Sequence, residues 1–405
     1  MKVAYLGNQL TSGGGATSLF LMLQSLRNVS FEKYVWLTQI SSKSMRDQLR
    51  EFCTEVELIE LDDVTSCQTK RASEQHLEKA RRLQTGIDGL IERLNQNEID
   101  ILHVNNSVFT HAYQRIKAET KVKLITHVRE WITHSGQGPV EAFMLEQIQL
   151  HSDAIIVISP VEASMFDVSG KVHIMANPFD FEASDKLKNE TVEGLKKAPK
   201  EVIVTMMGRP SLSKGHLQFL KVLSLILKEY KSKSAFKFVI IGLSPPKMNW
   251  RKWVKRILGR EPYFEVMRSI RKLHLNNHVV VIPYLQNVYP VLQQTDIIVR
   301  PSLFADPWGR DIIEAFALNK PVVAFGQNDF YIKEGKSGYL IPDLNEALMA
   351  QRLSFLIDNP ETRKQFGEYG RQQIRAMCNL KDYAKRVLQV YETMFPKHDL
   401  NESGN

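Results

Sequence analysis

A strand-then-helix pattern runs through this 405-residue chain twice, broken once by a polar stretch, and that limits its fold more than any other feature. Short apolar runs at Val3–Gly7, Tyr34–Thr38, Ile101–Val104, Lys123–His127, Ala154–Ser159 and Val172–Met175 read as strands. Between them lie helical patterns around Ser18–Leu26, Arg71–Asn95 and Val140–His151. The alternation restarts with Glu201–Met207, a helix over His216–Tyr230, Phe236–Gly242, a helix near Phe264–Leu273, Val279–Pro283 and Ile297–Pro301. Such alternation predicts an α/β fold class of parallel sheets with helices on both faces.

From Phe181 to Lys200 the sequence turns polar and loses any strand signal, which places a domain boundary there. The expected organisation is a Rossmann-like domain over 1–180, a connector over 181–200 and a second Rossmann-like domain over 201–378. A helix over 379–396 has enough Leu, Val and Tyr to dock back on the first domain, and 397–405 is a polar tail. Two parallel-sheet domains would face each other across a cleft, with ligands outside the carboxyl ends of the strands.

Composition narrows the class. At this length two domains are more natural than one core, and 43% hydrophobic with 24% charged residues is a globular balance. Cys53, Cys67 and Cys378 are odd in number and widely spaced, so neither a disulfide framework nor a zinc site is expected. The apolar run at Met1–Gly7 is too short for a signal peptide, and no apolar stretch is long enough to span a bilayer. A cytoplasmic location follows as an expectation. The net charge of +8 suits a phosphate-rich partner: a nucleotide, a nucleic acid or an anionic membrane surface.

Chemistry concentrates at Asp306-Pro307-Trp308-Gly309-Arg310-Asp311-Ile312-Ile313-Glu314. Asp306 is either an N-cap with Pro307 at the first helical position, or a hydroxyl ligand. Glu314 lies two turns into that helix, beside the apolar positions Ile312, Ile313, Phe316 and Ala317. A carboxylate at the edge of a buried stripe needs a partner. No cation is read at helical spacing on its face, so a ligand's hydroxyl pair, or an Arg or Lys from elsewhere in the fold, is expected to answer it. Lys320-Pro321 closes the helix before a buried strand.

A second group follows the strand Val202–Met207. Gly208-Arg209 and Lys214-Gly215 put two cations five positions apart on a loop that leads into a helix, which suits a diphosphate. Gly13-Gly14-Gly15 opens the first helix, but it is neither a dinucleotide fingerprint nor a P-loop. His127 ends a strand beside Arg129, Glu130 and Trp131; both a structural and a functional role stay open. Asn177-Pro178-Phe179-Asp180 reads first as a turn. There is no H-E-x-x-H, G-x-S-x-G or Asp-x-Asp, so no metal and no cofactor is expected, and protein cations would have to stabilise a departing diphosphate.

In this order, Gly208-Arg209, Lys214-Gly215, the acid-x7-Glu element with Gly309, and Glu314-Ala315 through Lys320-Pro321 resemble the retaining nucleotide-sugar glycosyltransferases of family 4, which have the GT-B fold. The resemblance implies that Arg209 and Lys214 hold the donor diphosphate and act in catalysis, with His127 beside the reacting sugar. It implies that Glu314 binds the ribose hydroxyls and that the backbone of Gly208, Trp308, Gly309 and Arg310 meets sugar and phosphate. Tyr284 and Leu285 would lie near the nucleobase, and Gly13, Gly14 and Gly15 near the phosphates and acceptor. Two departures stand out: Asp306 where glutamate is commoner, and Thr17 where a glutamate often follows the glycines.

The partners this implies are a nucleotide diphosphate sugar and a saccharide or lipid-linked saccharide acceptor, with no nucleic acid. Between Lys247 and Arg260, Trp250 and Trp253 stand among six cations, either as an interfacial membrane segment or as a basic helix docked by its aromatics. The location would then be cytoplasmic or peripheral on the inner membrane face. A GT-B sugar-nucleotide epimerase and a non-catalytic nucleotide-sugar-binding protein are the alternatives.

Overall fold

The computed structural model of the chain describes residues 1–8, 14–40, 42–64, 74–132, 138–168, 170–186, 192, 194–195, 197–209, 211–230, 232–247, 249–250, 261–303 and 309–395. These form two compact units, one of residues 1–180 with 377–395 and the other of residues 181–376. The short helix Phe181–Asp185 stands where the sequence suggested only connector, and it belongs to the second unit.

In the first unit, strands β1 (Lys2–Gly7), β2 (Glu32–Leu37), β3 (Glu55–Leu58), β4 (Ile101–Val104), β5 (Lys123–Val128), β6 (Ala154–Val157) and β7 (Val172–Ile174) form one parallel sheet, in the order 3-2-1-4-5-6-7. Covered on both faces, its central strands read as largely apolar runs rather than alternating ones. On one face Leu102, Leu124 and Trp36 pack with Phe109, Tyr113 and Phe143. On the other, Val3, Tyr5, Ile125 and Ile156 meet helix Gly14–Ser25 and helix Leu380–Thr393 through Met22, Tyr383, Val387 and Tyr391. The last helix is started by Asn379, whose side chain accepts from the Lys381 amide at 2.9 Å. Just ahead of it the Phe179 amide donates to the Cys378 carbonyl at 2.8 Å, so the chain leaving this unit and the chain returning lie side by side.

In the second unit, β8 (Val202–Met207), β9 (Phe236–Ile241), β10 (Val279–Ile282), β11 (Ile297–Arg300), β12 (Val322–Phe325) and β13 (Gly338–Ile341) pair in parallel in the order 10-9-8-11-12-13. The strand order reverses between β1 and β4 in the first unit and between β8 and β11 in the second. These are the switch points where open α/β sheets place ligands.

Several local expectations are corrected. The helical region of Arg71–Asn95 holds two described helices, Glu74–Arg81 and Ile87–Gln96, separated at Gly86. A Cβ there would stand 1.8 Å from the Glu60 carbonyl oxygen, so only glycine passes. Strands β3 and β13 were not foreseen, being four residues each with few β-branched side chains. The helix after β11 runs over Arg310–Ala317 with Gly309 as its N-cap residue. It therefore does not start at a cap on Asp306, and Glu314 stands one turn into it rather than two.

Candidate functional site

The second unit's site grows from the carboxyl ends of β8 and β11. After β8 the chain turns at Gly208, whose amide donates to the Ile241 carbonyl at 3.2 Å. Gly242 sits against it at φ +94°, where a Cβ would lie 2.6 Å from the Gly208 oxygen. The loop then closes on β11: the Leu303 amide donates to the Ser213 carbonyl at 2.9 Å. At Gly215, φ is +76° and a Cβ would come within 1.6 Å of the Pro301 oxygen, so the turn ahead of helix His216–Leu225 can only be made by glycine. The starts of this helix and of Arg310–Ala317 both follow the two switch-point strands, and helix N-termini present unpaired amides to anions.

Charged side chains crowd the same end. The Arg300 Nε lies 3.3 Å from Asp311 Oδ2, which ties the end of β11 to the start of the following helix. One turn along, Arg310 Nε lies 3.4 Å from Glu314 Oε1. This overturns the expectation that Glu314 has no cation at helical spacing: Arg310, four positions before it, is one. The carboxylate is mostly covered, with side-chain exposure of 16%, and burial raises its pKa against the opposing pull of Arg310. Lys214 is half-buried with its stem against Gly208, and its pKa is lowered first by burial and then by the nearby Arg300 and Arg209, with Asp311 opposing. Arg209 is exposed and makes no ion pair among the described residues. An anion arriving here would relieve like-charge repulsion.

The structure thus brings together Gly208, Arg209, Lys214, Gly309, Arg310 and Glu314. Tyr284 and Leu285 follow β10, two strands from β8, where the exposed Tyr284 has its amide held by Ser244 Oγ at 2.8 Å. Asp306, Trp308 and Gly13 lie outside the described residues, as do Trp253 and its neighbours in 251–260. Arg300 and Asp311 were not foreseen. Arg300 had a signal, a cation ending the apolar strand Ile297–Val299.

In the first unit Gly14 and Gly15 start the helix Gly14–Ser25, and the Gly15 carbonyl accepts from Asn105 Nδ2 at 3.4 Å. His127 is the fifth residue of β5 and fully buried. Its Nδ1 lies 3.2 Å from His103 Nε2 and 3.3 Å from Arg129 Nη2. Arg129 also donates to Asn105 Oδ1 at 2.9 Å and to Asn177 Oδ1, so Asn177 does more than make a turn. His103 Nδ1 meets the Tyr391 hydroxyl at 2.8 Å. Burial first, then Arg129 and His103, push the His127 pKa well below its ordinary 6.5, and the ring is neutral. His103 and Tyr391 were missed because β4 reads as core and the two residues stand 288 positions apart.

Among the described residues no three His, Cys, Asp or Glu side chains gather as a metal-ligand set, and no helix is long and apolar enough to cross a membrane.

Residues 188–373 match the family described as Glycosyl transferases group 1. Among curated relatives, spore coat protein SA of Bacillus subtilis is 28% identical over 200 residues, 47% of this chain and 48% of that protein. Poly(ribitol-phosphate) alpha-N-acetylglucosaminyltransferase of Staphylococcus aureus is 26% identical over 133 residues, 32% of this chain and 27% of that one. The chain thus spans about half, or less, of the length of these relatives. A crystal structure of Anabaena HepE in complex with UDP-glucose superposes with a TM-score of 0.71 at 16% identity, covering 97% of this chain and 99% of that one. The chain therefore has the GT-B fold, and the greater part of its second unit is similar to the family described as Glycosyl transferases group 1.

Proposed function

We propose that the chain is a retaining, metal-independent glycosyltransferase of family 4 that moves a sugar from a nucleotide diphosphate sugar to a hydroxyl of a saccharide or lipid-linked saccharide. The observation that carries this is the gathering of Lys214, Arg209 and Arg300, with the starts of two helices, at the β8–β11 switch point. Arg209 and Lys214 hold the diphosphate and neutralise the charge that grows on it as the sugar leaves. The Glu314 carboxylate accepts from the ribose hydroxyls, and the backbone of Gly208, Gly309 and Arg310 lies along the phosphates and sugar. Tyr284 and Leu285 flank the base. Attack comes on the face that the diphosphate leaves; the acceptor hydroxyl forms the new bond and its proton passes to a phosphate oxygen, so no protein nucleophile is needed.

A relative named poly(ribitol-phosphate) alpha-N-acetylglucosaminyltransferase and a structural neighbour solved with UDP-glucose support a UDP-sugar donor and a place in cell-surface polysaccharide or lipopolysaccharide synthesis. The test is a panel of UDP-, GDP- and ADP-sugars, read for donor hydrolysis and, with saccharide acceptors, for the anomeric configuration of the product. Inversion sinks the retaining mechanism. Epimerised donor without acceptor would make the chain an epimerase, and binding without turnover a non-catalytic protein.

The location that goes with this activity is the cytoplasmic membrane face. Trp250 is 72% exposed, and with Trp253 and the neighbouring Lys and Arg it would rest on anionic lipid. Liposome flotation unchanged in Trp250→Ala/Trp253→Ala would remove that anchor.

A further inference from the structure

The buried polar chain in the first unit has a direction, and Arg129 sets it. A guanidinium has five donors, no acceptor and no accessible neutral form. With Arg129 Nη2 3.3 Å from His127 Nδ1, that nitrogen must offer its lone pair, and the single proton of the neutral ring is on Nε2. His103 Nε2 lies 3.2 Å from the same Nδ1. Two lone pairs cannot face each other there, so His103 carries its proton on Nε2 and shares the acceptor with Arg129, as in a three-centre bond. His103 Nδ1 is then left as an acceptor, and the Tyr391 hydroxyl, 2.8 Å away, donates to it. The Tyr391 hydroxyl is also aimed at the Tyr5 oxygen 3.2 Å away, but it has one proton, and the shorter contact with the His103 lone pair takes it. Every ring in this chain is buried.

One atom of the chain is left over. His127 Nε2 is buried and has no hydrogen-bond partner among the described residues. A buried donor left without an acceptor is unfavourable, so a bound molecule with an acceptor oxygen would satisfy it.

We infer that Arg129, His103 and Tyr391 are positioning residues that lock His127 as an Nε2–H donor, so that His127 meets a substrate oxygen by donating a hydrogen bond and takes no proton during transfer. This rests on the transferase activity proposed above. The substrate class it selects is an oxygen acceptor on the sugar, a hydroxyl or the ring oxygen, and not an acidic group that would need a base. It also gives the last helix of the chain a part in the reaction, because Tyr391 reaches His103 from the helix Leu380–Thr393.

Two measurements test it. The full chain with 15N-labelled histidine, assigned with His127→Asn and His103→Asn, would show the imidazole tautomers near neutral pH by long-range proton–nitrogen correlation. We expect protonated Nε2 on both rings; Nδ1–H on His127, or an average of tautomers, overturns the inference. This arm needs no turnover, so it can fail while the transferase assignment holds, and it decides the point even if no sugar is transferred. In the kinetic arm, Tyr391→Phe should lower kcat about tenfold or more while the KM for the nucleotide sugar moves by about twofold at most. His103→Gln, whose amide donates to His127 and accepts from Tyr391, should keep most of the kcat that His103→Leu loses. An unchanged kcat in Tyr391→Phe, or no difference between the Gln and Leu variants, rejects the positioning role.

Discussion

Arg310 Nε lies 3.4 Å from Glu314 Oε1, one turn apart on the same helix. At the switch point burial raises the pKa of this largely covered carboxylate, and Arg310 offsets part of that rise. A buried ion pair of this kind contributes little to stability, because desolvation offsets most of the attraction. Its value is in what the carboxylate oxygens, held in place by Arg310, can accept.

Glu314→Gln should therefore separate folding from binding. The variant keeps shape but loses the charge, so its melting temperature should stay near that of the parent or rise. Its affinity for UDP should fall by about tenfold or more, on the order of 1.4 kcal/mol for a lost charged hydrogen bond. Calorimetry with UDP and GDP checks this; unchanged affinity for both removes Glu314 from the nucleotide site.

Arg209→Ala and Lys214→Met should each cut transfer by a factor of ~10² or more, the usual effect of removing one charge-stabilising group. Lys214→Met should also melt no lower than the parent, since it takes a half-buried ammonium away from Arg300 and Arg209. Near-parental turnover in both variants would dismiss the diphosphate role.

Gly215→Ala should damage the site through the backbone. At φ +76°, with the new Cβ 1.6 Å from the Pro301 oxygen, either the turn or β11 must move. We expect a loss of about 2–4 kcal/mol, read as roughly 2–4 °C in melting temperature for each kcal/mol. Weaker nucleotide binding should come with it, because Lys214 precedes the glycine. A melting temperature equal to the parent's would show that the turn relaxes freely.

Acid should weaken the first unit early. His103 falls to about 3, His111 to about 4 and His127 well below its ordinary 6.5, in each case chiefly through burial. Between about 6.5 and those values the unfolded chain binds protons that the folded chain refuses, so stability is full above about pH 6.5 and falls as pH falls. Each such histidine contributes at most about 1.4 kcal/mol per pH unit. Melting curves taken from neutral pH downward should show this, with a shallower slope in His103→Asn. A flat profile down to about pH 5, where carboxylates begin to titrate, would contradict it.

The parallel sheets were legible in the sequence because strands covered on both faces must be largely apolar, as at Ala154–Val157 and Ile297–Val299. The cation loop was legible too: Gly208, Arg209, Lys214 and Gly215 are close in the chain, and a short loop between strand and helix has few ways to run. Arg310 was equally local and was passed over beside Glu314, although a spacing of four falls on one helix face whether the helix starts at Arg310 or earlier.

By itself, then, the sequence determined the two α/β units and the loop that carries Arg209 and Lys214, because periodicity and short-range turn chemistry are written in neighbouring residues. Only the tertiary structure decided which distant groups meet. Arg300 with Asp311 depends on where β11 ends, and His103 with Tyr391 depends on a helix that returns to the first unit after the whole of the second. Hydrogen bonds between such groups follow from the sheet order and the path of the chain, which no local spacing encodes.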